Sequence, residues 1–115
     1  MAEQNNPLRG IGLFEKSLKY IKANLDKWDQ SEGVGPCRCL IGWARYFSGI
    51  GPGRLDVVAI TFGINEDTIL WIYDPVRTIA DFNKFLRLWK AGHNPDDLIV
   101  SSELVEPKRK RKVKR

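Results

Sequence analysis

The stretch VVAITFGINEDTILWIYD, residues 57–74, decides the fold of this 115-residue chain. Its apolar residues have the spacing of two short helices joined by a tight turn. A small residue, Ala59, stands where such helices cross, and Gly63 follows four positions later in the turn. The inward positions of this arrangement all carry apolar side chains: Val58, Phe62, Ile64, Ile69 and Ile72. The stretch therefore predicts a helix-turn-helix-like corner inside a helical domain.

The outward positions of the second helix argue against DNA recognition by this corner. In the predicted register they are Asn65, Glu66, Asp67, Thr68, Leu70 and Trp71. Recognition helices place Arg, Lys, Asn or Gln against base edges within a field of phosphates, and that field repels Glu66 and Asp67. The pattern favours a structural corner over a DNA-reading one. Leu70 and Trp71, side by side and predicted outward, are typical either of a protein contact or of a surface covered by the last helix.

Helical periodicity extends through almost all of the remaining body. The first predicted helix covers residues 13–29, and the second has Pro36 in its first turn and ends near Gly49. The third runs from Arg54 or Leu55 to Phe62, and the fourth from Asp67 to Asp74. The last helix is capped by Thr78 and Asp81 and closes at Gly92. Trp28, Trp43 and Trp89 fall on inward faces. Residues 93–106 are predicted to form either a short helix capped by Asn94 or an extended strap. The expected fold is all-α, a single small bundle of four to six helices.

Charge divides the chain into a near-neutral body and a cationic end. Residues 108–115, KRKRKVKR, hold seven of the 19 Lys and Arg residues, which leaves 12 basic against 14 acidic residues in residues 1–107. A run of like charge this dense cannot pack a core. We therefore expect a flexible N-terminus at 1–10, a helical domain at 11–92, the helix or strap at 93–106 and a disordered basic tail at 107–115.

The residue types needed for catalysis or metal binding are sparse. The chain has one histidine, His93, and two cysteines, Cys37 and Cys39, a set too small for a four-ligand zinc site. The glycines of GIGPG, residues 49–53, lack the Lys-Ser or Lys-Thr of a phosphate loop. Asp74 and Arg77 have a structural explanation as a turn and its ion pair. We predict no enzyme activity, no cofactor and no metal, and no apolar run long enough to span a membrane is present.

The basic tail carries the clearest functional signal. Clustered cations bind polyanions by counterion release without base contacts. The predicted nucleic-acid-binding residues are Lys108, Arg109, Lys110, Arg111, Lys112, Lys114 and Arg115. The candidate protein-binding residues are Leu70, Trp71, Asp74 and Arg77.

Two functions fit these residues. The first is a non-enzymatic accessory protein that binds nucleic acid or a nucleoprotein through its tail while its body docks a protein. The alternative is a phage-type interaction module or modulator of a host protein, whose tail serves solubility or targeting. The expected location is intracellular, cytoplasmic or nucleoid-associated, and nuclear in a eukaryotic cell, since PKRKRKV at 107–113 is similar to short Lys/Arg-rich import signals.

Four segments together resemble a family of small, uncharacterised bacterial, mainly actinobacterial, and phage proteins. They are Trp28 at the end of the first helix, CLIG at 39–42, FGI at 62–64 and WIYDPVRT at 71–78. The family has C-x-x-G and W-N-D-x-x-x-R-T segments in this order. Ile72 and Tyr73 separate Trp71 from Asp74 in this chain, whereas the family's Trp, Asn and Asp are contiguous. The resemblance covers residues 14–90 and implies a small helical domain of unknown function.

Overall fold

A computed structural model describes residues 9–31, 38–51 and 54–106 of the chain. Within these ranges the protein is mainly helical, as predicted. The five α-helices are α1 (Gly10–Ala23), α2 (Leu40–Ser48), α3 (Leu55–Phe62), α4 (Glu66–Tyr73) and α5 (Ile79–Lys90). None of the helices in the described part is long and apolar enough to cross a membrane.

The first helix is shorter than the periodicity predicts. The prediction of one helix over residues 13–29 is wrong at its end, because α1 stops at Ala23 and a 3-10 helix follows at Leu25–Lys27. Asn24 explains the stop: its side-chain amide donates to the carbonyl of Tyr20 at 2.9 Å and satisfies a carbonyl at the helix end. Trp28 then forms an isolated parallel bridge with Arg38.

Helix α2 begins where a thiol caps it. The Sγ atom of Cys39 accepts a hydrogen bond from the backbone N–H of Gly42 at 3.4 Å. The helix therefore starts at Leu40, and Pro36, predicted in its first turn, lies outside the described residues. At the other end Gly49 takes the left-handed conformation, with φ of 77°, which confirms the predicted end.

The α3–α4 corner forms as the opening stretch predicts. Gly63 has φ of 78°, and its N–H donates to the carbonyl of Ala59 at 2.9 Å. Asn65 caps α4 by accepting from the N–H of Thr68 at 2.9 Å. All five residues at the predicted inward positions are buried: Val58, Phe62, Ile64, Ile69 and Ile72.

Helix α5 closes the core against α1. The predicted capping box is present, since Thr78 Oγ1 accepts from the N–H of Asp81 and the Asp81 carboxylate accepts from the N–H of Thr78. At the centre of the core lies Phe14, fully buried, with ring contacts at 5.3–6.1 Å to four aromatic side chains: Phe62, Phe82, Phe85 and Trp89. These edge and tilted contacts join α1, α3 and α5 around one aromatic centre.

The segment after α5 refines the all-α prediction. Asn94 caps a 3-10 helix, Pro95–Leu98, with Pro95 at its start, so of the two alternatives for residues 93–106 the capped helix holds for these four residues. Two short strands, β1 (Ile99–Val100) and β2 (Glu103–Leu104), then pair in antiparallel register. The fold is mainly helical with one short strand pair, which the sequence did not indicate because two-residue strands have no readable alternation.

Candidate functional site

The outward face of α4 differs from the predicted face at two positions. Asn65, Glu66, Asp67 and Leu70 are exposed as expected, but Thr68 is fully buried and Trp71 is only 3% exposed. The prediction that Thr68 and Trp71 point outward is therefore wrong. The Oγ1 atom of Thr68 donates to the Asp96 carboxylate at 2.8 Å, so the segment after α5 covers it.

Helix α5 covers Trp71, the alternative that the sequence left open. The indole ring lies 5.3 Å from the ring of Phe85 and 6.4 Å from that of Phe82, centroid to centroid. Arg77 lies over the ring, with its Cζ 4.5 Å from the ring centroid. The indole N–H is buried, and no acceptor for it is present in the described part of the chain. Trp71 therefore belongs to the core rather than to a surface.

Arg77 and Asp74 form a clamp at the end of α4. The Nε of Arg77 donates to the carbonyl of Trp71 at 2.7 Å, and its terminal nitrogens lie 3.6 Å from the Asp74 carboxylate and 3.9 Å from that of Asp81. Gln30 adds a second tie, since its Nε2 donates to the carbonyls of Ile72 and Asp74 at 2.8 and 3.1 Å. These contacts have the structural role that the sequence assigned to the turn.

A polar cavity opens beside this clamp. Its volume is about 420 Å³, and its walls come from α4, α5, the intervening turn and the β hairpin: Trp71, Arg77, Asp81, Lys84, Ser102, Glu103 and Leu104. The lining has cations and carboxylates in equal number. Lys84 is engaged with Glu106 at 3.3 Å. The cavity therefore has no net charge that would select an anionic ligand over a cationic one.

An apolar groove lies on the other side of α4, between it and α3. It has a volume of about 500 Å³ and is lined by Leu55, Asp56, Ala59, Ile60, Ile64, Glu66, Ile69 and Leu70. Ile60 is 76% exposed and Leu70 is 47% exposed. Leu70 was a predicted contact residue, whereas Ile60 was missed. The sequence does offer a sign of this exposure, because Ile60 is an apolar residue of the predicted third helix that follows Ala59 and is not at one of the predicted inward positions.

The charged side chains that line the groove are acidic. Asp56 and Glu66 line it, and Asp67 is exposed on the next position of α4. Asp56 makes an exposed ion pair with Arg54 at 3.7 Å, which contributes little in solvent. The carboxylates at the start of α4 lie on the exposed helix surface, as the sequence predicted, and they disfavour phosphate contact there.

The cysteine and histidine candidates give no cluster. Cys39 is buried, and that burial raises the pKa of its thiol. His93 is exposed after α5, and Cys37 lies outside the described residues. Among the residues that the structure describes, no group of three or more His, Cys, Asp or Glu side chains could hold a metal ion.

The predicted nucleic-acid-binding residues, Lys108 to Arg115, also lie outside the described residues. The structure brings together Trp71, Asp74 and Arg77 from the protein-binding set, as a structural clamp, and leaves Leu70 on the opposite groove. The four predicted residues therefore do not form one surface.

Comparison of the chain with protein-family models, curated proteins and solved structures found no match. The resemblance to the small bacterial and phage proteins thus stays a prediction.

Proposed function

We propose that this protein is a non-enzymatic accessory protein whose body docks a basic amphipathic helix of a protein partner, while residues 108–115 attach it to nucleic acid. The observation that carries the docking half is the α3–α4 groove, with Ile60 and Leu70 exposed above it. The observation that carries the nucleic-acid half is the run of seven cations in KRKRKVKR.

The groove is suited to a helix because of its shape and lining. The groove lies between two helices and is lined by the apolar side chains of Ala59, Ile64 and Ile69, a lining typical of grooves that accept the apolar face of an amphipathic helix. Covering the exposed parts of Ile60 and Leu70 would remove apolar surface from water, which stabilises a complex by about 25 cal/mol per Å².

The acidic rim selects the charge of the partner. Asp56 and Glu66 line the groove and Asp67 lies beside it, so Lys or Arg flanking the partner's apolar residues finds complementary charge. The same carboxylates repel phosphate, and nucleic acid is therefore directed to the cationic end of the chain. The two halves of the proposal use surfaces of opposite sign.

The tail should bind nucleic acid without sequence preference. Seven cations fully engaged on duplex DNA would give a slope of about −6 for log affinity against log salt, at roughly 0.9 per contact. Because not every cation contacts a phosphate at once, we expect a slope of about −3 to −5 for unrelated sequences. A variant of the 115-residue chain with all seven cations replaced by Gln, which we call the neutral-tail variant, should lose most of this binding.

Pull-downs from host lysate with matched variants test the docking half. The variants are Ile60→Glu, which puts a carboxylate into an already acidic groove, and Val76→Glu, which puts one at a residue 68% exposed and outside the groove. We expect the wild-type protein and Val76→Glu to retain a partner protein after nuclease treatment, and Ile60→Glu to lose that partner. If Ile60→Glu captures the same proteins as the wild type, docking in the groove is contradicted.

A defined probe complements the lysate experiment. A labelled Leu/Lys amphipathic helical peptide should bind the wild-type protein and Val76→Glu, and a Leu/Glu peptide of the same pattern should bind neither. Equal binding of both peptides would contradict charge selection by the rim. If the neutral-tail variant still binds duplex DNA as wild type does, the tail is not the nucleic-acid site. If the wild type binds no nucleic acid but still retains a protein in the pull-down, the alternative function, a modulator of a host protein, is supported instead.

A further inference from the structure

A second surface of the body, formed by α1 and α2, combines exposed aromatic rings with cations. We define the aromatic platform as Tyr20, Trp43, Tyr46 and Phe47. Tyr46 is 60% exposed, Tyr20 and Phe47 are half-buried, and Trp43 lies beneath them at 6% exposure. The rings are in mutual contact, with centroid separations of 4.6–6.2 Å.

The packing of the platform holds its rings in place. Trp43 donates its indole N–H to the carbonyl of Lys27 at 2.9 Å, which fixes the central ring. Tyr20 lies 4.6 Å from it and Tyr46 lies 5.4 Å from it at 80°. Tyr46 therefore stands on a rigid base and remains 60% exposed.

Cations lie directly on these rings. The Cζ of Arg38 is 4.9 Å from the Trp43 ring centroid and 5.1 Å from that of Tyr46, and the Nζ of Lys16 is 5.0 Å from that of Phe47. Guanidinium and aromatic faces held in this way are the surfaces on which unpaired nucleobases stack.

The charge of the two helices favours a polyanion. Helix α1 contains a single acid, Glu15, and α2 contains none. The Nζ of Lys90, on α5, donates a hydrogen bond to the Glu15 carboxylate at 2.9 Å, and this hydrogen bond lowers the pKa of the Glu15 carboxyl. Lys16 and Lys19 lie exposed on α1, one helical turn apart. Of the described acids between α1 and α2, Asp29 accepts both hydrogen bonds of Ser31, and Asp26, like Arg38, is engaged in a further contact. Glu32 lies outside the described residues.

We infer that the aromatic platform binds single-stranded nucleic acid, with a base stacked on Tyr46 and Arg38 and phosphates near Lys16 and Lys19. Stacking on aromatic and guanidinium planes beside a cationic track is the general chemistry of single-strand binding, and it tolerates any base sequence. This inference goes beyond the proposed function, in which the body itself does not touch nucleic acid. It also separates single strands from duplexes, because bases inside a duplex are already stacked on both faces.

The test uses the full-length protein and fluorescence anisotropy of a labelled oligothymidylate of about a dozen nucleotides, a length within the range of single-strand sites. Tyr46→Ala should weaken binding by roughly five- to 150-fold, the range for loss of one stacked base. Tyr46→Phe keeps the ring and should stay within about twofold of wild type. Tyr73→Ala is the matched control, since Tyr73 is an exposed tyrosine (44%) on α4.

Two further measurements separate stacking from charge and from misfolding. Binding of a duplex of the same length should be unchanged by Tyr46→Ala, and Lys16→Gln should reduce the salt slope for the single strand by about 0.7. Circular dichroism of Tyr46→Ala should match wild type, because the side chain is mostly exposed.

The inference is overturned if Tyr46→Ala binds the oligothymidylate within about twofold of wild type, or if it weakens duplex binding equally. The neutral-tail variant keeps this outcome distinct from that of the tail. If the neutral-tail variant loses oligothymidylate binding and Tyr46→Ala keeps it, the platform alone is refuted. If Tyr46→Ala loses this binding and the neutral-tail variant keeps it, the tail alone is refuted.

Discussion

Replacing Arg77 should test whether the clamp at the end of α4 is structural. The side chain is 15% exposed and makes three kinds of contact. Its hydrogen bond to the Trp71 carbonyl, from a charged donor, contributes about 1.5–3 kcal/mol, and its stacking on the indole about 1 kcal/mol. The longer ion pairs with Asp74 and Asp81 add less than about 1 kcal/mol, since both carboxylates are partly exposed.

These contributions overlap, so we expect Arg77→Ala to lower the free energy of unfolding by about 3 kcal/mol. Arg77→Lys keeps the charge but loses the flat stack and the Nε donor, and should cost roughly half as much. The matched control is Arg87→Ala on α5, where the side chain is 62% exposed and 3.9 Å from Glu106; it should cost below about 0.5 kcal/mol.

Urea unfolding followed by circular dichroism measures these differences. The m-value should stay constant across the variants, because the surface exposed on unfolding is the same. High salt should leave the Arg77→Ala deficit nearly intact, since a buried hydrogen bond and a stack are weakly screened. A deficit for Arg77→Ala as small as that for Arg87→Ala would refute the clamp and return Arg77 to the list of surface residues free to contact a partner.

Two other predictions concern single side chains. Thr78→Ala removes one half of the capping box and should lower the free energy of unfolding by about 1 kcal/mol in the same urea assay. Thr78→Ser keeps the hydroxyl and should keep most of this stability. If Thr78→Ala is as stable as the wild type, the cap contributes nothing. In a Cys37→Ser background, Cys39 should resist iodoacetamide at mildly alkaline pH until urea is added, because burial raises the pKa of its thiol and the thiolate is the nucleophile. Since burial holds the folded pKa of Cys39 above its unfolded value, the stability that the neutral thiol contributes should be fully present below the unfolded pKa and be lost as pH rises from there through the folded pKa. Rapid alkylation of the native protein would contradict the burial of Cys39.

The local elements of the fold could be predicted from sequence because their signals are local. Gly63 in the corner turn, Gly49 after α2 and the Thr78 capping box are each specified by residues within a few positions of one another. The end of α1 was mispredicted because apolar spacing continues to Trp28, while the deciding contact is the side-chain amide of Asn24 on a backbone carbonyl. Periodicity does not register such competition between side chain and backbone.

The candidate site was predicted less well because its determinants are distant in sequence. Trp71 was placed outward by the register of α4, yet it is buried by Phe82 and Phe85 of the next helix. The groove at Ile60 and Leu70 exists only because no described element covers that side of the corner. The contact of Arg38 with Trp43 and Tyr46 depends on the bridge between Trp28 and Arg38, which no spacing rule predicts.

The ties between Asp96 and the start of α4 bear on how far the α3–α4 corner can be treated as a portable unit. The carboxylate of Asp96 accepts hydrogen bonds from the N–H of Asn65 and the hydroxyl of Thr68, both at 2.8 Å, from 31 and 28 positions further along the chain. A graft of residues 54–78 onto another scaffold would carry the turn and its apolar floor but leave this hydroxyl without its acceptor. Swapping the corner between proteins therefore requires the 3-10 helix Pro95–Leu98 to travel with it, and recombination breakpoints between α5 and that helix should yield poorly folded chimeras.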